Sequence, residues 1–513
     1  MENYHSNSRR LAYNTVLLYI RTSLTLFIGL FTSRVLLDSL GIENYGIYNI
    51  VGGFIAMFSI ITGTLTATTQ RYINFELGKN NGNPLKVFGA CMGIHFILAV
   101  VMLILFESLG IWFLNTQLSI PENRIYAANW CFQISVATSI VGLFSTPYQG
   151  VIVAHERMKA FAYISLQDAI LKLLICYVLY ISIFDKLIVF SLLFSMVVVW
   201  NQIIYVWYCR KHFPETKVTI VKDTNLYKSM FNFAGMNFIG AFAHIMSTQG
   251  VNVILNIFFG VIVNAARGIA NQVQGAISRF VNDFMSALNP QITKEYAAGN
   301  KEKSMDLCFR GSKFSFYLLV LMALPIFVRA HEILKLWLIQ YPDFTVEFLR
   351  LTLLISMLGV LSSPLITEIM STGNLTKTTW WIGGTRLLIL PLVYISFKFG
   401  FSAIYAYYII FIMDAILLFV RLKILDSITG MTFLREFTRN VLIKILLVFI
   451  SCLFIVEIID TMIPSNLVGL LMFFAISVLI NGIIVLLIGM TKSERTTIVR
   501  FINSKIKNYV SKI

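Results

Sequence analysis

Arginine, asparagine and glutamine recur at helical spacing in a segment that should be apolar. Between Gly260 and Pro290, a stretch long enough to cross a bilayer carries Arg267, Asn271, Gln274, Arg279 and Asp283. A charge at the centre of a membrane helix costs about 2.5–3.5 kcal/mol even on the most lenient scale. On a helical projection, Asn264, Arg267, Asn271, Gln274, Ser278 and Asn282 share one stripe, with Gln272, Arg279 and Asp283 to its side. Ile269, Val273, Ile277, Phe280, Phe284 and Leu288 fall on the other side, with Val281 and Met285 as exceptions near the polar side. Intramembrane charges face a bundle interior or an aqueous path, so this pattern predicts the wall of a hydrated cavity. The bland alternative is a polar helix buried among its neighbours, with Arg279 and Asp283 as an i,i+4 pair.

Other polar groups extend the pattern. Asn14, Arg21, Thr25 and Thr32 form a narrower stripe on the first apolar segment. Arg34 sits near that segment's outer end, where it lines the cavity or snorkels to the interface. Arg386 and Asp414 stand alone in their own segments, set to pair across helices or to serve ligand and cation respectively. Asp168 and Lys172 are spaced for an internal ion pair. His244 lies with Asn237, Thr248 and Asn252 on one broad side, as a hydrogen-bonded structural residue or a proton carrier. Arginine holds phosphate through charge-assisted, often bidentate hydrogen bonds, and amides and hydroxyls suit sugar hydroxyls. The expected substrate-binding set is Arg21, Arg34, Arg267, Asn271, Gln274, Arg279 and Arg386, fitted to an anionic polar group carried on a lipid. Asp283, Asp414 and His244 are the candidate ion-coupling groups, for H+ or Na+. No D-x-D, H-E-x-x-H, G-x-S-x-G or P-loop occurs, so neither an enzyme, a cofactor nor a metal site is expected.

The elements that position these residues follow from composition. Of 513 residues, 57% are hydrophobic and 13% charged, against about 25% charged in an average globular domain. That is the balance of an all-α polytopic membrane protein. Windows of about 20 apolar residues predict about fourteen spans, at about 13–37, 46–68, 87–114, 125–147, 161–183, 187–209, 231–259, 262–289, 313–338, 347–370, 378–398, 402–423, 441–460 and 466–490. The net charge of +16 is distributed by loop side rather than as a nucleic-acid patch. One side collects most of the Lys and Arg, and the other receives Arg124, Lys186, Lys335, Arg350 and Lys398. The positive-inside rule then puts both termini in the cytosol. The apolar run at the N-terminus outlasts a signal peptide and reads as a retained first helix. The six cysteines are scattered and suit small buried hydrophobes.

Residues 1–210 are expected to form a first six-helix lobe, 211–230 a cytosolic linker and 231–425 a second lobe. Residues 426–490 add two helices and 491–513 a basic tail. Gln70 to Gly78 and Gln291 to Gly299 repeat one spacing at the end of the second helix of each half. Both halves start on the same side, so the pseudo-repeat is parallel, around a central cavity.

"SRVLLDSLGIENYGIYNIVGGF" and "TPYQGVIVAHERMKAFAYIS" resemble the corresponding stretches of polysaccharide-biosynthesis flippases. These are Wzx-type members of the MOP exporter superfamily, which also holds MATE drug exporters and lipid II flippases. The resemblance extends over residues 1 to about 425. It implies two lobes around a V-shaped cavity and alternating-access export of undecaprenyl-diphosphate-linked oligosaccharide to the outer leaflet. It further implies a multi-pass protein of the bacterial inner membrane that serves O-antigen, lipopolysaccharide, capsule or other surface polysaccharide. Family members hold the diphosphate with arginines on helices matching those of Arg21, Arg34, Arg267 and Arg279. Membrane lipids and polysaccharide-assembly proteins are the expected partners of a monomer, and nucleic acid is not. A MATE-type cation-coupled antiporter is one alternative, weakened by arginine rather than an acid on the first span. A membrane glycan polymerase or transferase is the other, disfavoured by the short outward loops.

Overall fold

A computed structural model shows an all-α chain: every element among the described residues is helical. The structure describes residues 2–56, 69, 72–73, 76, 82–155, 157–231, 242, 246–338, 340–372, 375–492 and 494–496. At 2–23, 26, 56, 153, 158, 161, 283, 286–287, 290, 294, 297 and 375–379 the description covers the backbone alone. The main helices are α1 (Glu2–Ala56), α2 (Pro84–Leu105), α3 (Ile125–Ala154), α4 (Met158–Ile181), α5 (Lys186–His212) and α6 (Val251–Ala297). They continue with α7 (Lys301–Val328), α8 (Thr345–Ser371), α9 (Leu375–Leu387), α10 (Ile389–Lys398), α11 (Tyr405–Thr429), α12 (Ile443–Met462) and α13 (Leu467–Ile484).

Helices satisfy every internal backbone group without water, which is what a bilayer demands of a spanning segment. Ten stretches among the described residues are long and apolar enough to cross one. One of them, Met246–Asn282, holds two of the expected spans. Helix α11 and the long α1 lie where spans 12, 1 and 2 are expected. Three helix starts are capped by side chains that accept from freed amides: Asn83 from Lys86 N, Asp185 from Leu187 N and Ile188 N, and Asn466 from Gly469 N.

Two of the long helices are each two helices joined at a glycine. Helix α1 breaks at Gly41 (φ 76°, ψ 166°) and α6 at Gly260 (φ 76°, ψ −173°). That region of the backbone map is essentially open to glycine alone. Both breaks fall between expected spans, 1 and 2 in one case, 7 and 8 in the other.

The contacts divide the chain into two units. The first comprises 1–269, 338–344 and 386–406. In it α3 packs along α5, and α1 packs on α4 and α3. One apolar cluster gathers Ile47, Ile50, Phe106, Phe132 and Leu187; another gathers Phe88, Cys91, Tyr148, Ile152 and Cys209. The second half of α1 meets α6 so closely that a Cβ on Gly46 would lie 2.1 Å from the Val261 carbonyl oxygen. The second unit comprises 270–337, 345–385 and 407–513. There α7 is the central post, packed by α8, α12 and α13. Phe309 of α7 sits edge-on to Phe433 and Phe437, and the buried rings of Phe348 and Tyr407 stack at 4.4 Å.

Candidate functional site

The polar helix is built outward from its break. Leu255 and Val261, on either side of Gly260, are buried, so both arms of the hairpin are packed. Three asparagines staple those arms together. Asn264 Nδ2 donates to Asn252 O (2.9 Å) and Asn252 Oδ1 (2.7 Å). Asn256 Nδ2 donates to Asn264 Oδ1 at 3.0 Å, and Asn256 Oδ1 accepts from the Ser119 amide at 3.0 Å. Less than one turn past Asn264 is Arg267, only 6% exposed, whose Nη2 donates to the Thr248 carbonyl oxygen at 3.0 Å.

Further along α6, in the second unit, the two faces separate. Val273, Ile277, Val281 and Met285 are buried. Asn271, Arg279 and Asn282 are exposed, and Gln274 and Ser278 are half-buried, with Gln274 Nε2 3.4 Å from Ser278 Oγ. A helix facing lipid shows the opposite arrangement, apolar out and polar in. Here Asn271, Arg279 and Asn282 make up most of the open face, which also holds the Phe280 ring at 37% exposure. They offer hydrogen-bond donors and a positive charge to a polar, anionic ligand.

The remaining candidates lie on other elements or outside the described side chains. The backbone at Arg21 is helical, but its side chain lies outside the described residues, as does that of Asp283. His244 lies outside them altogether. Arg34 is half-buried in α1, Arg386 half-buried at the end of α9 in the first unit, and Asp414 half-buried in α11 in the second. Asp168 and Lys172 form the ion pair their spacing predicts, at 2.8 Å. Asn201 on α5 adds a 2.7 Å hydrogen bond to the second Asp168 oxygen, and the Lys172 ammonium lies 4.8 Å from the Phe194 ring centroid. No group of three or more His, Cys, Asp or Glu that could hold a metal occurs among the described residues.

Several polar groups were not visible to spacing. Glu368, 1% exposed in the last turns of α8, accepts from Ser304 Oγ at 2.7 Å. Lys313, the first residue of the span expected at 313–338, is buried and paired with Glu494 at 2.7 Å. Arg421, near the end of the span expected at 402–423, is buried in α11 and donates to Ser362 Oγ at 2.9 Å. Arg329 donates to Asp460 and to the carbonyls of Pro464, Asp460 and Ile463. The one local signal for Glu368 was an acid in the last turns of an otherwise apolar span.

No family model matches the chain, and no curated protein matches it in sequence. Solved structures do match. The lipid II flippase MurJ, in an inward closed conformation, superposes with a TM-score of 0.68 at 14% identity, over 91% of this chain and 98% of that one. A multidrug resistance MATE family transporter of the MOP superfamily, inward-facing, gives 0.58 at 14% identity, over 79% and 96%. A MOP superfamily transporter from Pyrococcus furiosus, described as having a binding pocket of reverse polarity, gives 0.56 at 14% identity, over 80% and 93%. With an all-helical chain, a polar helix at its middle and coverage of this extent, the chain has the fold shared by the lipid II flippase MurJ and the MATE transporters of the MOP superfamily.

Proposed function

We propose that the chain is a flippase that carries a diphosphate-linked oligosaccharide on a polyprenyl lipid from the cytosolic to the outer leaflet by alternating access. The observation that carries this reading is the inverted amphipathicity of α6: Asn271, Arg279 and Asn282 are exposed while Val273, Ile277 and Val281 are buried. An open polar face with a guanidinium, on a helix of a membrane fold, suits a hydrated path for an anionic headgroup. Arg267 and Arg279, with Arg21, Arg34 and Arg386, are the diphosphate-holding set in this reading, and Asn271 and Gln274 meet sugar hydroxyls. Asp283, Asp414 and His244 are its coupling groups, for H+ or Na+. Both termini lie in the cytosol, and the protein works as a monomer in the inner membrane, beside polysaccharide-assembly proteins. O-antigen or capsule is the product served.

The test is a deletion strain. Loss of surface glycan, with accumulation of its lipid-linked precursor on the cytosolic side and restoration by the plasmid-borne chain, is the expected result. The fold also admits a MATE-type antiporter, since MATE transporters share it. Robust drug resistance conferred on a pump-deficient host, with surface glycan intact on deletion, would establish that reading and remove the flippase.

A further inference from the structure

The segment after α5 is not a slack tether. Pro214–Thr216 forms a single turn that contacts α2, and residues 217–223 then run without helix along the start of that helix. Gly89 makes the approach possible: a Cβ there would lie 2.6 Å from the Thr219 carbonyl oxygen and 3.0 Å from Val221 Cγ2. Gly93, one turn on, receives the Tyr227 hydroxyl, which a Cβ would meet at 2.6 Å. Lys86 Nζ pairs with Asp223 Oδ2 at 2.7 Å and closes the strap. An extended chain alternates its side chains. Thr219 and Val221 are therefore turned inward, and Val218 and Ile220 outward. Ile220 is 93% exposed and Val218 54%, flanked by exposed Lys217 and Lys222.

The height of the strap follows from its neighbours. The Phe88 ring packs edge-on against Tyr148 at 5.2 Å, and Cys209 Sγ donates to the Tyr148 carbonyl at 3.6 Å. Residues 88, 148 and 209 therefore lie at one level, at the basic ends of α2, α3 and α5. Trp207 is exposed at this level, with the Lys211 ammonium 5.1 Å from its ring centroid. Exposed Trp beside Lys is the mark of the headgroup boundary. Arg210 and Lys211 are exposed there too. An isoleucine open to water in this place would be an unexplained cost; buried among acyl chains just below anionic headgroups it is favourable.

We infer that residues 217–222 are an interfacial anchor, with Val218 and Ile220 inserted into the bilayer and Lys217 and Lys222 bound to anionic phospholipid headgroups. The inference takes from the proposed function only the orientation that puts this basic end in the cytosolic leaflet. It commits to lipid; a soluble protein partner or water is the competing occupant. The anchor would hold the linker between the expected halves in register with the membrane surface.

Ile220→Cys, labelled with a nitrobenzoxadiazole dye, reads the site directly. The six native cysteines are buried and leave the new thiol as the reactive one. The full chain is placed in nanodiscs of phosphatidylglycerol or of phosphatidylcholine, with Asn225→Cys, also exposed, as the reference. The expected result in phosphatidylglycerol is blue-shifted emission at 220, quenched several-fold more by a nitroxide on the upper acyl chain than by iodide. Lys217→Gln with Lys222→Gln should reverse that preference, and phosphatidylcholine should weaken it. Emission at 220 that is aqueous and iodide-quenched in both lipids overturns the inference. So does a label shielded from both quenchers, which means that protein covers the site. Insertion equal in both lipids and indifferent to the lysines overturns the anionic-headgroup part. No transport is measured, so failure here and failure of the flippase reading are separable.

Discussion

Gly41 and Gly260 adopt one backbone conformation, with φ of 76° at both and ψ of 166° and −173°. Each joins the first two expected helices of one half of the chain. Two separate glycines in a rare region, at matching places, support a parallel repeat more strongly than the Gln-to-Gly spacing does. A side chain in this region costs about 1–3 kcal/mol. Gly41→Ala and Gly260→Ala are each expected to lower the thermal unfolding temperature in detergent. Gly275→Ala, in regular helix with nothing within 4 Å of its Cβ position, should not. Equal melting of all three variants would refute the strain at the two breaks.

Asn264 makes three of the hydrogen bonds that staple the α6 hairpin. Polar pairs in membrane proteins contribute about 0.6 kcal/mol on average and up to about 1.7. Asn264→Ala should therefore destabilise by about 2 kcal/mol. Asn256→Ala on top of it should add less than it costs alone, because the two share a bond. Strict additivity in thermal melts would mean that the network does not act as a unit.

Lys313 is buried and Glu494 half-buried, and their pairing ties the segment after α13 to α7. Burial alone would raise the Glu494 carboxyl, but the hydrogen bonds from Lys313 and the Thr491 amide outweigh it and hold the value below the usual range. A carboxyl lowered in the folded state contributes stability that is complete above the unfolded value. That contribution is lost as pH falls through the folded value. Stability of the wild-type chain should drop on that acid limb, and Glu494→Gln should flatten it. Lys313→Met strands a buried carboxylate and should cost about 3–5 kcal/mol, most of it recovered by Lys313→Met with Glu494→Gln.

Arg279 is exposed and Arg267 buried against a carbonyl. Arg279→Ala is expected to leave melting unchanged and to slow flipping at least tenfold, equivalent to about 1.4 kcal/mol. Arg279→Lys should recover part of that loss if the fork of donors matters beyond the charge. Arg267→Ala should lower both flipping and melting temperature. Normal surface glycan from Arg279→Ala at equal protein level would remove it from the substrate path.

What was legible in the sequence depended on whether partners sit on one helix. Asp168 and Lys172 are four residues apart, and their ion pair forms. The polar and apolar faces of α6 could be drawn from periodicity in part: Asn271 and Asn282 are exposed and Val273 and Ile277 buried, but Asn264 and Arg267 are buried and Phe280 is exposed. The helix breaks fall where the apolar runs were divided. Groups whose partners come from distant segments stayed hidden. Ser304 and Glu368 are 64 positions apart, and Lys313 and Glu494 are 181 apart. Lys313 and Arg421 fall at the ends of the expected spans 313–338 and 402–423, where a charge is ordinarily solvated. A buried charge near the end of a span looks the same as a solvated one until its partner is known. The burial of Arg267 depended on the Thr248 carbonyl, a backbone group that no side-chain pattern announces.

The polar ties on α7 have a mechanical meaning. Arg329, at one end, reaches Asp460 and the carbonyls of Ile463 and Pro464, with its guanidinium 4.4 Å from the Phe473 ring centroid. From the middle of the helix, Lys313 holds Glu494 and the Tyr317 hydroxyl donates to Gly489 O at 3.0 Å. Ties at the end and at the middle of α7 resist sliding of the segments that carry Asp460, Gly489 and Glu494. Helices α7, α12 and α13 thus make a rigid reference frame. Spin labels placed on them would keep their mutual distances through any cycle, so movement elsewhere in the chain can be measured against fixed points.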